Sequence, residues 1–165
     1  MAILILLKHG EIQLDPAGSP ATHLSPGSCI EAIRMAEAAL GAIPEELRVP
    51  RPHILCGKED ETAITAALIA SLFHIVPVIS AALGEAFDRA ELCKFASGCH
   101  HADRPIIAVS HEQTIHAVVS AFIEMNGPYN GRGELPLARY QGVAIETNAR
   151  EISIVQAPPF KVNHS

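Results

Sequence analysis

The sequence predicts an α/β fold, a three-layer α/β/α sandwich around a mostly parallel central sheet. Two observations carry this prediction. Short apolar runs of strand length alternate with segments of helical periodicity, which is the pattern of βαβ units. The runs at 2–7 and 106–109 are unbroken, as expected of central strands that are covered on both faces. The crossovers between such strands are expected to be right-handed.

The first half of the chain is predicted as strand, loop, helix, strand and helix. After the strand at 2–7, residues 10–28 are rich in proline, glycine and serine, which favours a loop. Ser25 and Pro26 then supply an N-cap and a first-turn proline. Apolar residues follow at helical spacing until Pro44 breaks the pattern, at Ile30, Ile33, Ala36, Leu40 and Ile43. The next predicted elements are a strand at 53–56 and an alanine-rich helix at 62–73.

The second half continues the alternation. A strand is predicted at 75–79, where Pro77 suits an edge position. The elements after it are a helix at 88–96, a strand at 106–109, a helix with Ile115, Val118, Val119, Phe122 and Ile123 on one face, a turn-rich loop at 127–133, and a closing hairpin of strands at 141–146 and 151–156. We expect a single domain over 1–156 and a loose C-terminal tail over 157–165.

Composition excludes several classes of protein. The 165 residues suit one domain, and although 48% are apolar, no apolar run approaches the roughly 20 residues that span a bilayer. The N-terminal run is too short for a signal peptide, so we expect a soluble, cytoplasmic protein. A net charge of −6 argues against nucleic acid as the main partner. Four cysteines are too few for a disulfide scaffold.

Two histidines follow the two unbroken strands. His9 comes after the first strand, and His111 lies between the strand at 106–109 and a helix. In open α/β sheets this edge is where ligands bind, and helix N-termini attract anions. A neutral imidazole can attack phosphorus while a protonated one stabilises the phosphoryl oxygens. A single strand-end histidine is more often structural, but the pair favours phosphoryl chemistry.

The motifs around these histidines resemble the histidine phosphatase superfamily, whose phosphoglycerate-mutase-like fold includes small phosphohistidine phosphatases. The resembling motifs run in the family's order between Ala2 and about Phe122, and they are Lys8-His9-Gly10-Glu11, Leu24-Ser25, Ile64-Thr65-Ala66, Leu83-Gly84-Glu85 and Val109-Ser110-His111. The resemblance implies that His9 is the nucleophile, that His111 holds the phosphate, and that Glu85 protonates the leaving group and later activates water. It implies no cofactor, and a phosphate-bearing small molecule or phosphoprotein as substrate.

The sequence departs from this family at both of its phosphate-binding arginines. Lys8 replaces the first and loses the planar fork that grips two oxygens. Glu61 stands in place of the second, and a carboxylate about 5 Å from a phosphate charge is repelled by roughly 3 kcal/mol. Glu112 adds negative charge close to the pocket. Glu61 could point away, it could pair with Lys8, or Lys58 could enter as a substitute cation.

Two functional hypotheses remain open on this basis. The first is a phosphatase of low activity that works through a phosphorylated His9. The second is a catalytically inactive pseudophosphatase that binds a ligand or a protein partner through the remnant pocket. A third, a zinc site, would use the segment 93–101 with Cys93, Cys99, His100 and His101, but the spacing of these residues is poor and we predict no metal there. The sequence gives no indication of the oligomeric state.

Overall fold

The structure is a computed structural model that describes residues 2–14, 17, 20–48, 51–131, 137 and 141–157, with the backbone alone at 14 and 20–22. Its strands are β1 (Ile3–Lys8), β2 (Ile12–Leu14), β3 (Pro20–Leu24), β4 (His53–Cys56), β5 (Val78–Ile79), β6 (Ile106–Ser110), β7 (Gln141–Glu146) and β8 (Glu151–Gln156). Its α-helices are α1 (Pro26–Ala42), α2 (Asp60–Leu72), α3 (Arg89–His100) and α4 (Glu112–Asn126). The predicted tail beyond 157 lies outside the described residues.

Six of these strands form one central sheet in the order β5-β4-β6-β1-β7-β8. β5, β4, β6 and β1 run parallel to one another, while β7 and β8 form the predicted closing hairpin, and β7 pairs antiparallel with both β1 and β8. The predicted fold class is confirmed. Because β1 and β6 are parallel neighbours, with Lys8 opposite Ser110, the residues that follow both strands leave the sheet at the same edge.

Two cores lie on opposite faces of the sheet, and β1 contributes to both. Successive side chains of a strand point to opposite faces. Ile5 and Leu7 therefore pack in the core under α1 and α2, whereas Leu4 and Leu6 pack in the core under α3 and α4. This double burial explains why β1 is apolar at every position up to Lys8.

Helix α1 begins as predicted, but only part of its predicted apolar pattern is buried. Ser25 is its N-cap and accepts a hydrogen bond from the Ser28 backbone N–H at 3.2 Å, and Pro26 occupies the first turn. The buried face consists of small residues and one methionine, namely Ser28, Ala32, Met35, Ala36 and Ala39. Of the apolar residues at helical spacing, Ala36 and Ile43 are buried, whereas Ile30 and Leu40 are 46% and 37% exposed. Because small side chains let the helix lie close to the sheet, the face that carries them turns towards the sheet.

Other elements differ from the prediction in extent. The expected loop at 10–28 contains the separate two-stranded β2–β3 hairpin. The strand expected at 75–79 covers only Val78–Ile79, since Pro77 has no N–H to donate to a neighbour. Helix α3 continues to His100, and Ile123 of α4, expected to be buried, is 42% exposed. Across the described ranges, no helix is both long and apolar enough to cross a membrane.

Candidate active site

The structure brings His9 and His111 together at the carboxyl edge of the sheet. The backbone N–H of His9 donates to the Ser110 carbonyl at 3.1 Å, so the loop after β1 starts alongside the end of β6. The two imidazole rings have their centroids 4.6 Å apart and are inclined at 66°. His111 is the N-cap residue of α4 and is 9% exposed. The two histidines that the sequence singled out therefore share one site.

A backbone contact sets the orientation of the His9 ring. Its Nδ1 lies 2.8 Å from the Gly10 carbonyl oxygen. Because a carbonyl only accepts hydrogen bonds, this contact favours the tautomer of the neutral imidazole in which Nδ1 carries the proton and Nε2 keeps the lone pair. The Gly10 N–H donates in turn to Thr65 Oγ1 at 3.0 Å, and the Thr65 hydroxyl donates to the Glu61 carbonyl at 2.6 Å. These bonds hold the loop after β1 against the first turns of α2.

The Glu61 carboxylate lies in the same site as the two histidines. One carboxylate oxygen of Glu61 and one ring nitrogen each of His9 and His111 all lie within 4.8 Å of one another. Glu61 belongs to the first turn of α2, which begins at Asp60 and directs this side chain towards the sheet edge. The site therefore contains a carboxylate at the position where the resemblance places an arginine.

Lys8 pairs with Glu112. Its Nζ lies 3.1 Å from Glu112 Oε2, and Glu112 Oε1 accepts the Leu137 backbone N–H at 3.0 Å. Burial acts to raise the pKa of Glu112, but the hydrogen bonds from Lys8 and Leu137 outweigh it and lower that pKa below its ordinary value. The suggested pair between Lys8 and Glu61 is therefore not formed. Lys58 is exposed, and among the described residues its side chain makes no hydrogen bond or ion pair.

Glu59 is a site residue that the sequence analysis missed. Its Oε2 lies 3.5 Å from His111 Nε2, and its Oε1 accepts the Glu85 backbone N–H at 3.1 Å. Neither His111 Nε2 nor Glu59 Oε2 has a well-formed hydrogen bond within the described ranges, so attraction between them is electrostatic and requires a protonated imidazole. Burial acts to raise the pKa of Glu59, but its own backbone N–H, that of Glu85 and the neighbouring His111 together lower it.

Gly57 makes room for this carboxylate. A Cβ at position 57 would lie 2.6 Å from both Glu59 Oε2 and the Leu83 carbonyl oxygen, which is closer than real Cβ contacts. The acidic run Glu59-Asp60-Glu61 is visible in the sequence, but the resemblance to the family concerns only position 61. A carboxylate immediately before a helix whose first turn faces the sheet edge is the signal that could have identified Glu59.

Glu85 lies at the rim of the site. Two hydroxyls fix the segment before it, since Ser110 Oγ donates to the Leu83 carbonyl at 2.6 Å and Thr114 Oγ1 donates to the Gly84 carbonyl at 2.9 Å. The Glu85 side chain is exposed, and within the described chain it forms no hydrogen bond or ion pair with either histidine. The structure therefore places the backbone of Glu85 next to the site and its side chain in solvent.

A cavity of about 440 Å³ opens beside His9. Its wall includes Lys8, Ser28 and two further carboxylates, Glu11 and Glu31. The Glu11 backbone N–H donates to Ser28 Oγ at 2.8 Å, which holds the cavity wall against the start of α1. Acidic groups outnumber basic ones around this cavity, as they do around the histidine pair.

Among the described residues, the cysteines and histidines at 93–101 do not form a group of metal ligands. In α3, burial raises the pKa of the Cys99 thiol to about 12, so this thiol packs in the core in its neutral form. His100 and His101 stack edge to face with centroids 5.1 Å apart. Of the residues the structure describes, those at 93–101 bring no three ligand atoms together, whereas His9, Glu61 and His111 do.

Comparison with solved structures identifies the relatives of this fold. The protein histidine phosphatase SixA complexed with tungstate aligns over 92% of this chain and 93% of its own, with 15% identity and a TM-score of 0.59. A mycobacterial glucosyl-3-phosphoglycerate phosphatase complexed with VO3 aligns over 96% and 100%, with 13% identity and a TM-score of 0.59. A phosphoglycerate mutase from Plasmodium falciparum aligns over 99% and 97%, with 13% identity and a TM-score of 0.55.

These similarities establish the fold. The chain shares the fold of this phosphoglycerate mutase and of these two phosphatases, and the fold that the sequence motifs imply is confirmed. Comparison by sequence finds no family model and no characterised protein that this chain matches. The fold was therefore recognisable only from the order of short motifs and from the coordinates.

Proposed function

We propose that this chain is a histidine phosphatase superfamily protein that hydrolyses phosphomonoesters or phosphohistidine through a phosphorylated His9, far more slowly than relatives with two pocket arginines. The observation that carries this proposal is the pairing of His9 and His111 at 4.6 Å, with the lone pair of His9 left on Nε2. Two structurally similar phosphatases bind tungstate and VO3, which supports an oxyanion as the ligand ancestral to this pocket.

The proposed reaction has two steps. In the first, His9 Nε2 attacks phosphorus, a P–N bond forms, and the bond from phosphorus to the leaving oxygen breaks as that oxygen takes a proton from Glu85. His111 donates to a non-bridging oxygen. In the second, a water molecule gives its proton to the Glu85 carboxylate and attacks phosphorus, and the P–N bond breaks. Glu85 acts from the rim, so its side chain must turn inwards.

The charges around the histidines explain the expected low rate. One carboxylate oxygen of Glu61 lies within 4.8 Å of a ring nitrogen of His9, the side chain that would carry the phosphoryl group. Two unit charges about 5 Å apart repel by roughly 3 kcal/mol at an effective dielectric of 20, and the partial exposure of Glu61 reduces this to about 1–3 kcal/mol. That repulsion alone slows the reaction about ten- to hundredfold. Lys8 does not compensate, because Glu112 neutralises it at 3.1 Å.

The same carboxylate favours a second candidate, a pseudophosphatase. In this case the pocket binds a ligand or protein partner and transfers no phosphoryl group. The specific observation in its favour is that the Glu61 carboxylate lies within 4.8 Å of a ring nitrogen of both His9 and His111. For the phosphatase, we propose a phosphate-bearing small molecule or a phosphoprotein as the substrate, encountered in the cytoplasm.

Phosphorylation of the intact protein separates the two candidates. Chelator-treated protein is incubated with phosphoramidate, a small phosphoryl donor, and its mass is followed over time. We expect slow gain of one acid-labile phosphoryl group, lost in His9→Ala and retained in His101→Ala, which removes a histidine outside the site. No gain supports the pseudophosphatase. A gain that persists in His9→Ala shows that the nucleophile is wrongly assigned.

A further inference from the structure

We propose that this pocket binds a divalent transition metal ion of the zinc class through His9, His111 and Glu61. The inference rests on the proposed loss of phosphate affinity, because it assigns a cation to the pocket that the proposed function gives to a phosphoryl group. Two imidazoles and one carboxylate form a ligand set that zinc uses in open sites, with a fourth position left for water. These residues come from three separate elements, the loop after β1, the start of α2 and the N-cap of α4.

The distances are close to those that a metal needs. One ligand atom from each residue lies within 4.8 Å of the other two. Zinc binds nitrogen and oxygen at about 2.0–2.2 Å, so the ligands of a tetrahedral site are roughly 3.3 Å apart. The three side chains must therefore approach one another by at most about 1.5 Å. Glu61 has three side-chain torsions and can make most of this movement, while the backbone stays in place.

The His9 ring is already oriented as a ligand. Metal-bound histidines almost always donate their second ring N–H to a carbonyl or carboxylate, which fixes the ring and its tautomer. Here Nδ1 of His9 donates to the Gly10 carbonyl at 2.8 Å and leaves Nε2 for the metal. Gly10 is itself held by Thr65, whose hydroxyl bonds to the backbone of Glu61, so two of the ligands share one hydrogen-bonded frame.

The charge around the three ligands favours a cation. Glu59 lies 3.5 Å from His111 Nε2, and both atoms are buried without a well-formed hydrogen bond among the described residues. A nearby anion raises the affinity of a site for a divalent ion. The closest basic side chain on β1, Lys8, is already paired with Glu112 and does not repel an incoming metal.

Cobalt provides a direct test, because Co²⁺ occupies zinc sites and its absorption reports ligand geometry. Chelator-treated protein is titrated with Co²⁺ and then with Zn²⁺, and the visible absorption and the heat of binding are recorded. We expect one equivalent of Co²⁺ with the intense absorption of a four- or five-coordinate site, displaced by Zn²⁺. The variants His9→Gln and Glu61→Gln should each lose about a hundredfold or more in affinity, because each removes one direct ligand.

Two matched controls test whether the site is the one proposed. Asp60→Asn removes the same charge from the same helical turn at an exposed position, and His100→Gln removes a histidine from the pair on α3. Both should bind Co²⁺ as the unmodified protein does. The proposal is overturned if the protein takes up no stoichiometric Co²⁺, or if His100→Gln loses binding while Glu61→Gln keeps it.

A spectroscopic measurement on the unmodified protein tests the site even if the variants fold poorly. In the unmodified protein, the exchangeable Nδ1–H proton of His9 should appear as a strongly shifted proton NMR signal when Co²⁺ is bound, and its absence at saturating Co²⁺ contradicts the site. The phosphorylation experiment is run in chelator, so failure of the metal site and failure of the proposed phosphatase are separate results. Binding of Zn²⁺ should also stop any phosphorylation, since the lone pair of His9 Nε2 is then used.

Discussion

Replacing Glu61 by glutamine is expected to restore oxyanion binding to the pocket. The substitution keeps the size and shape of the side chain and removes one negative charge from beside the two imidazoles. His9 and His111 stay in place, since their positions depend on the sheet edge and on backbone hydrogen bonds. The change therefore isolates the electrostatic contribution of one carboxylate.

The magnitude follows from the separation in the structure. A tungstate ion beside His9 would have its charge about 5 Å from the Glu61 carboxylate, which lies within 4.8 Å of the His9 nitrogen. At an effective dielectric of 20, each unit of charge is repelled by about 3 kcal/mol, and screening at this partly exposed site leaves about 1–3 kcal/mol. Glu61→Gln should therefore tighten tungstate binding about ten- to hundredfold.

Isothermal titration of chelator-treated protein with tungstate measures this difference. Asp60→Asn is the matched control, because it removes an equal charge from an exposed position one residue away and should change the affinity far less. If Glu61→Gln and Asp60→Asn bind tungstate equally well, or if neither binds more tightly than the unmodified protein, the carboxylate at 61 does not control the pocket. Co²⁺ binding should change in the opposite direction in Glu61→Gln.

Three further predictions follow from the same structure. Glu112→Gln should release Lys8 and tighten tungstate binding severalfold in the same titration, and an unchanged affinity would mean that the ion pair does not restrain Lys8. Glu59 and Glu112 have pKa values below the ordinary 4.5 when folded, so they stabilise the protein above that pH and lose this contribution as the pH falls through their folded pKa values. Urea unfolding between neutral pH and pH 3 should show this loss, and Glu59→Gln should show a smaller loss. Ile107→Ala, at a fully buried position of β6, should lower the free energy of unfolding in urea by about 2–5 kcal/mol, and a cost below about 1 kcal/mol would contradict the described core.

The elements that the sequence predicted well are those with one dominant pattern. β1 and β6 are buried on both faces and are apolar without interruption, so their type and position were evident. The β7–β8 hairpin consists of two strand-length runs around a four-residue turn, and both strands have the predicted bounds. In each case the local pattern and the tertiary environment favour the same structure.

The elements that were mispredicted depend on packing at a distance. The apolar pattern of α1 includes Ile30 and Leu40, but both are exposed because close approach to the sheet favours the face that carries its alanines. The composition of 10–28 is typical of a loop, and the β2–β3 hairpin within it forms through pairing of Ile12 with Leu24 that no local signal marks.

Some residues of the site could likewise be predicted from the sequence, and others could not. His9 and His111 were predictable because each follows a buried parallel strand, and neighbouring parallel strands end at the same edge. The partner of Lys8 was not predictable, since Glu112 lies 104 residues away and competed with Glu61 on equal chemical terms. Glu59 was missed because its importance depends on the position of His111 Nε2, which only the folded chain defines.

Parallel titration of the unmodified, chelator-treated protein with tungstate and with Co²⁺ is the most direct test of this account. We propose that the carboxylates beside the paired imidazoles make this pocket favour a cation over an oxyanion. We expect stoichiometric uptake of Co²⁺ and no saturable uptake of tungstate at millimolar concentration. Tight tungstate binding without Co²⁺ binding would show that the pocket still presents net positive charge, and would contradict the claim.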